Sequence, residues 1–171
     1  MTAASLTTDR LILSPPGAED VDAMLAFFAA PRSEFYGGPL SAGAAWEKFA
    51  AYVGQWTLTG YGLFAIRLKG GGETIGLAGP FHPSHFPEPE MCWLLASDEH
   101  EGRGYASEAC RAILEYLFTD LGWTTAVSYI DMANVPSRAL ALRLGARLDP
   151  DAPAMIPNCQ TYRHSAPEGA A

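Results

Sequence analysis

With 171 residues, 49% of them hydrophobic, and a mean hydropathy of +0.03, the chain has the length and composition of one soluble globular domain with a sizeable core. No apolar run approaches the length of a membrane span. The net charge of −8 argues against nucleic acid or an anionic membrane as a partner, since both want a basic surface.

The N-terminus has no basic region followed by an apolar stretch, so no secretion signal is expected. Arg10–Ser14 reads as a short strand stopped by Pro15 and Pro16. Residues 18–30 read as a first helix, with Val21, Leu25 and Phe28 on one face. Glu19, Asp20 and Asp22 sit in its first turn, where the helix dipole favours acids, and Pro31 ends it. Residues 31–40 form a loop holding Phe35-Tyr36-Gly37-Gly38-Pro39, a surface turn with an aromatic anchor on its residues alone, to which only a family resemblance adds the lining of the acceptor site as a second reading. A second helix is expected over 42–57, with Trp46, Phe49, Val53 and Trp56 spaced as a core stripe.

Tyr61–Lys69 and Glu73–Pro80 read as strands joined by a hairpin turn at Gly70–Gly72. Gly76 and Gly79 mark a bend or a close backbone approach. Phe81–Pro87 is an irregular loop whose His82 and His85 lack a third ligand, so they read as exposed loop histidines rather than a metal site. The cysteines Cys92, Cys110 and Cys159 lie in apolar patterns and are odd in number, which suits reduced core thiols of a cytoplasmic protein.

Met91–Ala96 is a short apolar run with the look of a buried strand. Gly102 and Gly104 flank Arg103. After them Ala106, Ala109, Cys110, Ile113, Leu114, Leu117 and Phe118 recur at helical spacing. The glycines therefore sit where a strand turns into a buried helix. The free N–H groups and dipole of a helix start favour an anion there, and glycine lets backbone approach phosphate oxygens without a Cβ in the way. A plain tight turn is the simpler reading of the same two glycines. Thr124–Ile130 follows as a strand. Asn134 then caps a helix with Pro136 in its first turn and Gly145 as its stop. Cys159–His164 is the last strand, and residues 165–171 are expected to fray. No repeat or second domain is visible.

Glu-Gly-Arg-Gly-Tyr-Ala over 101–106, followed by Ser-Glu-Ala, resembles the acetyl-CoA loop of the GNAT superfamily of N-acetyltransferases. That loop runs Gln or Arg, two residues, Gly, one residue, then Gly or Ala. Gly104 matches the middle Gly and Ala106 the last small residue, with Gly102 inside the spacing. Glu101 stands where Gln or Arg is usual. An acid is unhelpful beside a pyrophosphate, and Arg103 is the neighbour expected to offset it. Pro87–Trp93 resembles the family segment Pro-Glu-x-Gly-Trp, with Glu90 at the acid, Trp93 at the aromatic and Cys92 in place of Gly. Asn134-Val-Pro-Ser137, with Gly145 beyond it, resembles a third family segment. Thr8–Leu13 resembles the first strand of the ribosomal-protein alanine acetyltransferase branch, with Ser14 where Arg is frequent.

The resemblance covers residues 8–164. It implies a single mixed α/β domain over 1–171, with a central, mostly antiparallel twisted sheet of six to seven strands flanked by about four helices. It also implies transfer of an acetyl group from acetyl-CoA to a primary amine, on a protein N-terminus or a small molecule, by direct attack on the thioester and without a metal. Monomer and homodimer both stay open. Main-chain groups of Gly102, Arg103, Gly104, Tyr105, Ala106 and Ser107 would cradle the pyrophosphate. Those of Leu94, Leu95 and Ala96 would hold the pantetheine and polarise the carbonyl, and Asn134 would touch the pantetheine arm as well as cap its helix. Glu90 is the candidate base, its pKa raised beside Met91 and Trp93, with Glu88 as the fallback and an exposed acid as the plain alternative. Ala141 stands where many relatives have a proton-donating Tyr. That leaves Ser137 to hydrogen-bond the CoA sulfur, or only to serve its helix turn. Ala141, Glu101 and Cys92 together support a competing function, a catalytically silent acyl-CoA-binding or regulatory module.

Overall fold

The computed structural model describes residues 4–153, 155 and 157–167. Eight strands form one sheet: β1 (Leu6–Thr7), β2 (Leu11–Ser14), β3 (Phe64–Leu68), β4 (Thr74–Phe81), β5 (Glu90–Leu95), β6 (Thr125–Asp131), β7 (Arg147–Leu148) and β8 (Cys159–Ser165). Four α-helices flank it: α1 (Val21–Ala29), α2 (Ala42–Thr59), α3 (Tyr105–Thr119) and α4 (Val135–Arg143). The spatial order is β1-β2-β3-β4-β5-β6-β8-β7. Every pairing is antiparallel except β5 with β6. The sheet is two strands wider than the six legible runs because β1 and β7 are two-residue edge strands, too short to carry an alternating pattern. The C-terminal run is also longer than expected. Ser165 pairs with Thr125 and Ala166 N–H donates to Thr124 O at 3.0 Å. The rest of the tail expected to fray, residues 168–171, lies outside the described residues.

Two cores sandwich the sheet. On one side α3 buries Ala109, Cys110, Ile113 and Leu117 against Met91, Trp93 and β2. On the other, α1 and α2 bury Met24, Phe28, Phe49 and Tyr52 against Leu77 and Leu94. Strand β5 thus feeds both layers from alternate residues, as an extended chain must. The faces of α1 and α2 are each rotated from the sequence expectation. In α1 the buried residues are Met24, Phe27 and Phe28, while Val21 and Leu25 are half-buried. In α2 the seam is Ala45, Phe49, Tyr52 and Gln55, and Trp46 is 57% exposed. Bulk misleads here: small Ala45 is the buried residue, and bulky Trp46 faces solvent.

The positions of Gly76 and Gly79 are explained by close approach. A Cβ on Gly76 would stand 2.2 Å from Leu94 O, and one on Gly79 would stand 2.8 Å from Gly62 O. Gly76 thereby lets β4 lie tight against β5, and Gly79 lets it lie tight against the start of β3. Among the described residues no helix is long and apolar enough to cross a membrane.

Candidate active site

β5 pairs with β4 from Gly76↔Leu95 to Phe81↔Glu90, but meets β6 at one register pair, Glu90↔Val127. Beyond it the two strands part. Main-chain groups on one edge of a strand come from alternate residues. Ala96 N–H donates to Ile75 O at 2.8 Å, so Ala96, and Leu94 by alternation, points its main chain into β4. The split edge instead carries the groups of Met91, Trp93 and Leu95. Of the three residues expected to hold the pantetheine, Leu94 and Ala96 thus have their main chain turned to β4, and Leu95 faces the split. Side chains take the carbonyls along this edge. Ser128 Oγ donates to Met91 O at 2.5 Å, Tyr36 Oη to Trp93 O at 2.5 Å, and Arg32 Nη2 to Leu95 O at 3.2 Å.

A cleft of about 480 Å³ runs along the split from Gly102 and Ala106 past Leu95 to Asn134 and Ser137. Gly104 is the N-cap of α3 at φ +81°, and Gly102 has φ +69°. Both need the left-handed region that side chains resist. Residues 101–104 are exposed, and a Cβ on Gly102 would meet nothing within 4 Å. Behind them, the first N–H groups of α3, from Tyr105, Ala106 and Ser107, have no acceptor within the helix. The loop is pinned from the N-terminus. Arg10 Nη1 donates to Arg103 O at 2.9 Å, and its Nε pairs with Glu108 at 2.6 Å. Thr8 Oγ1 donates to the same carboxylate at 2.6 Å, and the Arg10 guanidinium lies 4.6 Å from the centre of the Tyr105 ring. Glu101 is neutralised by Arg32, 2.6 Å away, which also pairs with Asp98. The exposed Arg103, expected to play that part, contributes its carbonyl to Arg10 instead.

The cleft joins an inner cavity of about 270 Å³, with Tyr36, Trp93, Asn134 and Ser137 bordering both. Asn134 is buried, and its Oδ1 accepts from Ser137 N–H at 3.2 Å, the expected cap. Ser137 Oγ accepts from the Trp93 indole N–H at 3.3 Å. Ala141 is buried in the core, away from the opening. Glu90 lines the inner cavity half-buried. Burial pushes its carboxyl up to about 7, drawn back only in part by the Tyr129 backbone N–H and the Lys48 charge. Burial also raises the Tyr36 phenol and lowers the Lys48 ammonium.

Glu88 has a different setting. It makes a bidentate pair with Arg163 at 2.7 and 2.9 Å, which holds its carboxyl below the usual range. The cysteines are all free, but only Cys110 is a core thiol. Cys92 and Cys159 are half-buried in the cavity wall. His85 is exposed, whereas His82 is half-buried with Nε2 3.2 Å from Phe86 O. Sequence reasoning missed Arg32, Lys48 and Ser128, for which no motif exists. Tyr36 was within reach through the Phe35–Pro39 loop, one of whose two readings was the lining of a site.

An acetyltransferase (GNAT) domain model matches residues 10–147. An acetyltransferase from Agrobacterium tumefaciens str. C58 is 40% identical, with 97% of this chain and 96% of that one covered at a TM-score of 0.91. A GNAT-family acetyltransferase from Bacillus anthracis, 17% identical, covers 94% of this chain and 96% of its own at 0.75. A ribosomal-protein-S5-alanine acetyltransferase from Vibrio fischeri, 13% identical, covers 95% and 96% at 0.71. These last two share the fold. The parted strands, the glycine loop at the start of α3 and the match over most of the chain agree: this protein belongs to the GNAT acetyltransferase family.

Proposed function

We propose that this protein is an acetyl-CoA-dependent N-acetyltransferase, moving the acetyl group to a primary amine by direct attack on the thioester. One observation carries this reading. The split between β5 and β6 connects the exposed glycine loop at one end to a half-buried carboxyl poised near neutral pH at the other.

The loop suits a pyrophosphate, since Gly102 and Gly104 leave the backbone bare and α3 adds its N-terminal N–H groups. In this reading the N–H groups of Trp93 and Leu95 on the split edge hold the pantetheine and polarise the thioester carbonyl. Glu90 accepts a proton from the amine, a role suited to a base with a pKa near the working pH. The amine nitrogen then bonds the acetyl carbon and the carbon–sulfur bond breaks. The departing thiolate takes a hydrogen bond or a proton from Ser137, or from Tyr36 once its hydroxyl turns from Trp93 O, the two hydroxyls where cleft and cavity meet. The raised pKa of Tyr36 keeps that proton available across the physiological range.

The test is release of free CoA from acetyl-CoA with and without a panel of primary amines. Amine-dependent release is expected. Binding of acetyl-CoA without release by any amine would favour a silent acyl-CoA-binding module, and absence of binding would overturn the reading.

A further inference from the structure

Resting on the acetyltransferase reading, we propose that the acceptor is amphoteric: a small molecule with a primary amine that faces Glu90, a carboxylate that faces Lys48, and an apolar or aromatic body between the cavity walls.

The walls set the size and the body. At about 270 Å³ the inner cavity lies at the small end of ligand pockets. Its aromatic rings are locked edge to face: Tyr52 on Phe81 at 5.1 Å, Phe81 on Phe86 at 5.5 Å, and Phe86 on Tyr129 at 6.1 Å. Such rings leave little freedom to admit a folded protein surface, and they favour an apolar group.

The charges set the ends. Lys48 and Glu90 both line the cavity, and neither appears in an ion pair or hydrogen bond with the other among the described residues. Lys48 Nζ donates to Tyr36 O at 2.6 Å, which leaves two of its three donors for a ligand. In the free protein the charge of Glu90 reaches Lys48; it is lost when Glu90 takes up a proton, which leaves a half-buried ammonium without an anion. The third charged wall residue, Asp131, accepts from Ala133 N–H at 2.8 Å in its own turn, which orients its carboxylate at the wall. A purely cationic acceptor would meet the Lys48 charge within the same small space. A carboxylate on the acceptor cancels that repulsion and brings the amine to Glu90 with one unit of charge already matched. A protein N-terminus has a neutral carbonyl where this carboxylate would lie. Burial lowers the Lys48 pKa, and an anionic ligand would raise it again.

The experiment compares leucine, methionine and phenylalanine with their amides and with 2-phenylethylamine, using the full chain and acetyl-CoA. Free amino acids are expected to exceed their amides in kcat/KM by about tenfold or more, the value of one good charge contact. Lys48→Met should abolish this preference through KM, and Lys48→Arg should retain most of it. Equal rates for acid and amide, higher rates for an N-terminal peptide, or a preference that survives Lys48→Met would overturn the proposal. If acetyl-CoA binds but no amine releases CoA, titrating phenylalanine and its amide into CoA-saturated protein decides the matter. Tighter binding of the acid upholds the pocket assignment, and equal or absent binding overturns it. If acetyl-CoA itself fails to bind, the transferase reading fails, and the same titration on the free protein still reads the pocket.

Discussion

Trp93 donates its indole N–H to the Ser137 hydroxyl across 3.3 Å, tying β5 to the first turn of α4 where the cleft meets the inner cavity. That contact fixes where Ser137 stands, whatever the hydroxyl then does for a ligand. Ser137→Ala should cost about 0.5–1.5 kcal/mol of stability, the worth of one ordinary hydrogen bond. Turnover per folded molecule should fall further, by about tenfold. Melting curves and kcat measured together separate the two. A steep loss of stability with unchanged kcat would make the residue purely structural.

Glu90→Gln should leave acetyl-CoA affinity in place and slow transfer by about a hundredfold. In the parent, rate should rise as pH passes about 7, where the carboxyl ionises. The variant should lose that limb. Linkage gives a second readout. The folded-state pKa lies above the unfolded value, so the parent loses stability as pH rises through this range. Glu90→Gln should therefore gain in stability relative to the parent between about pH 4.5 and about pH 7, with the difference level above that. Parent-like rates across pH in the variant would make Glu90 a bystander.

Much of this arrangement was legible beforehand, for physical reasons. The glycine loop could be read because Gly102 and Gly104 occupy conformations other residues resist, and the Asn134 cap because the orphan N–H groups of a helix start select that residue type. Glu90 could be told from Glu88 only in three dimensions, since Arg163 reaches Glu88 from a strand far along the chain. Leu94 and Ala96 turn their main chain to β4 and Leu95 to the split, a difference of one step of strand alternation. Register shifts of that size leave no mark in a run that is apolar on both faces. Arg32 and Tyr36 come from one short 3-10 segment, Pro31–Tyr36, and Lys48 from α2, and ordinary surface residues at those positions would have produced the same pattern.

His164 predicts an acid-labile fold. It is 2% exposed, and its Nε2 lies 3.0 Å from Ser128 Oγ. That hydroxyl donates to Met91 O, so Nε2 carries the proton and donates, while the buried Nδ1 has no partner. Burial pushes the pKa down to about 4. The folded value is below the unfolded one, so this stability is fully present above about pH 6.5 and is lost as pH falls toward 4. The loss should reach about 2–3 kcal/mol. Denaturant titrations at pH 7 and pH 4 should show a drop of that size in the parent and a smaller one in His164→Gln. Equal drops would remove His164 from the account.

Glu101 and Arg32 make opposite predictions about the cleft. Their 2.6 Å pair spends part of the Arg32 charge on a protein carboxylate. Glu101→Gln should tighten acetyl-CoA binding a few-fold at low salt, with the gain shrinking as salt rises. Arg32→Met should weaken binding by leaving Glu101 and Asp98 unopposed beside the phosphates. Calorimetric titration at two ionic strengths checks both. Unchanged affinity in both variants would place the pyrophosphate elsewhere.

The most direct test of the central claim is acetyl-CoA titration of the parent and of Ala106→Glu, with a melting curve for each. Ala106 lines the cleft in the first turn of α3, beside the loop glycines but in ordinary helical conformation. A carboxylate there should stand against the pyrophosphate with little strain on the fold. Saturable binding to the parent is expected, with loss of at least about a hundredfold in affinity in the variant at nearly unchanged melting temperature, roughly 3 kcal/mol of binding energy. No binding to the parent, or parent-like affinity in Ala106→Glu, would contradict it.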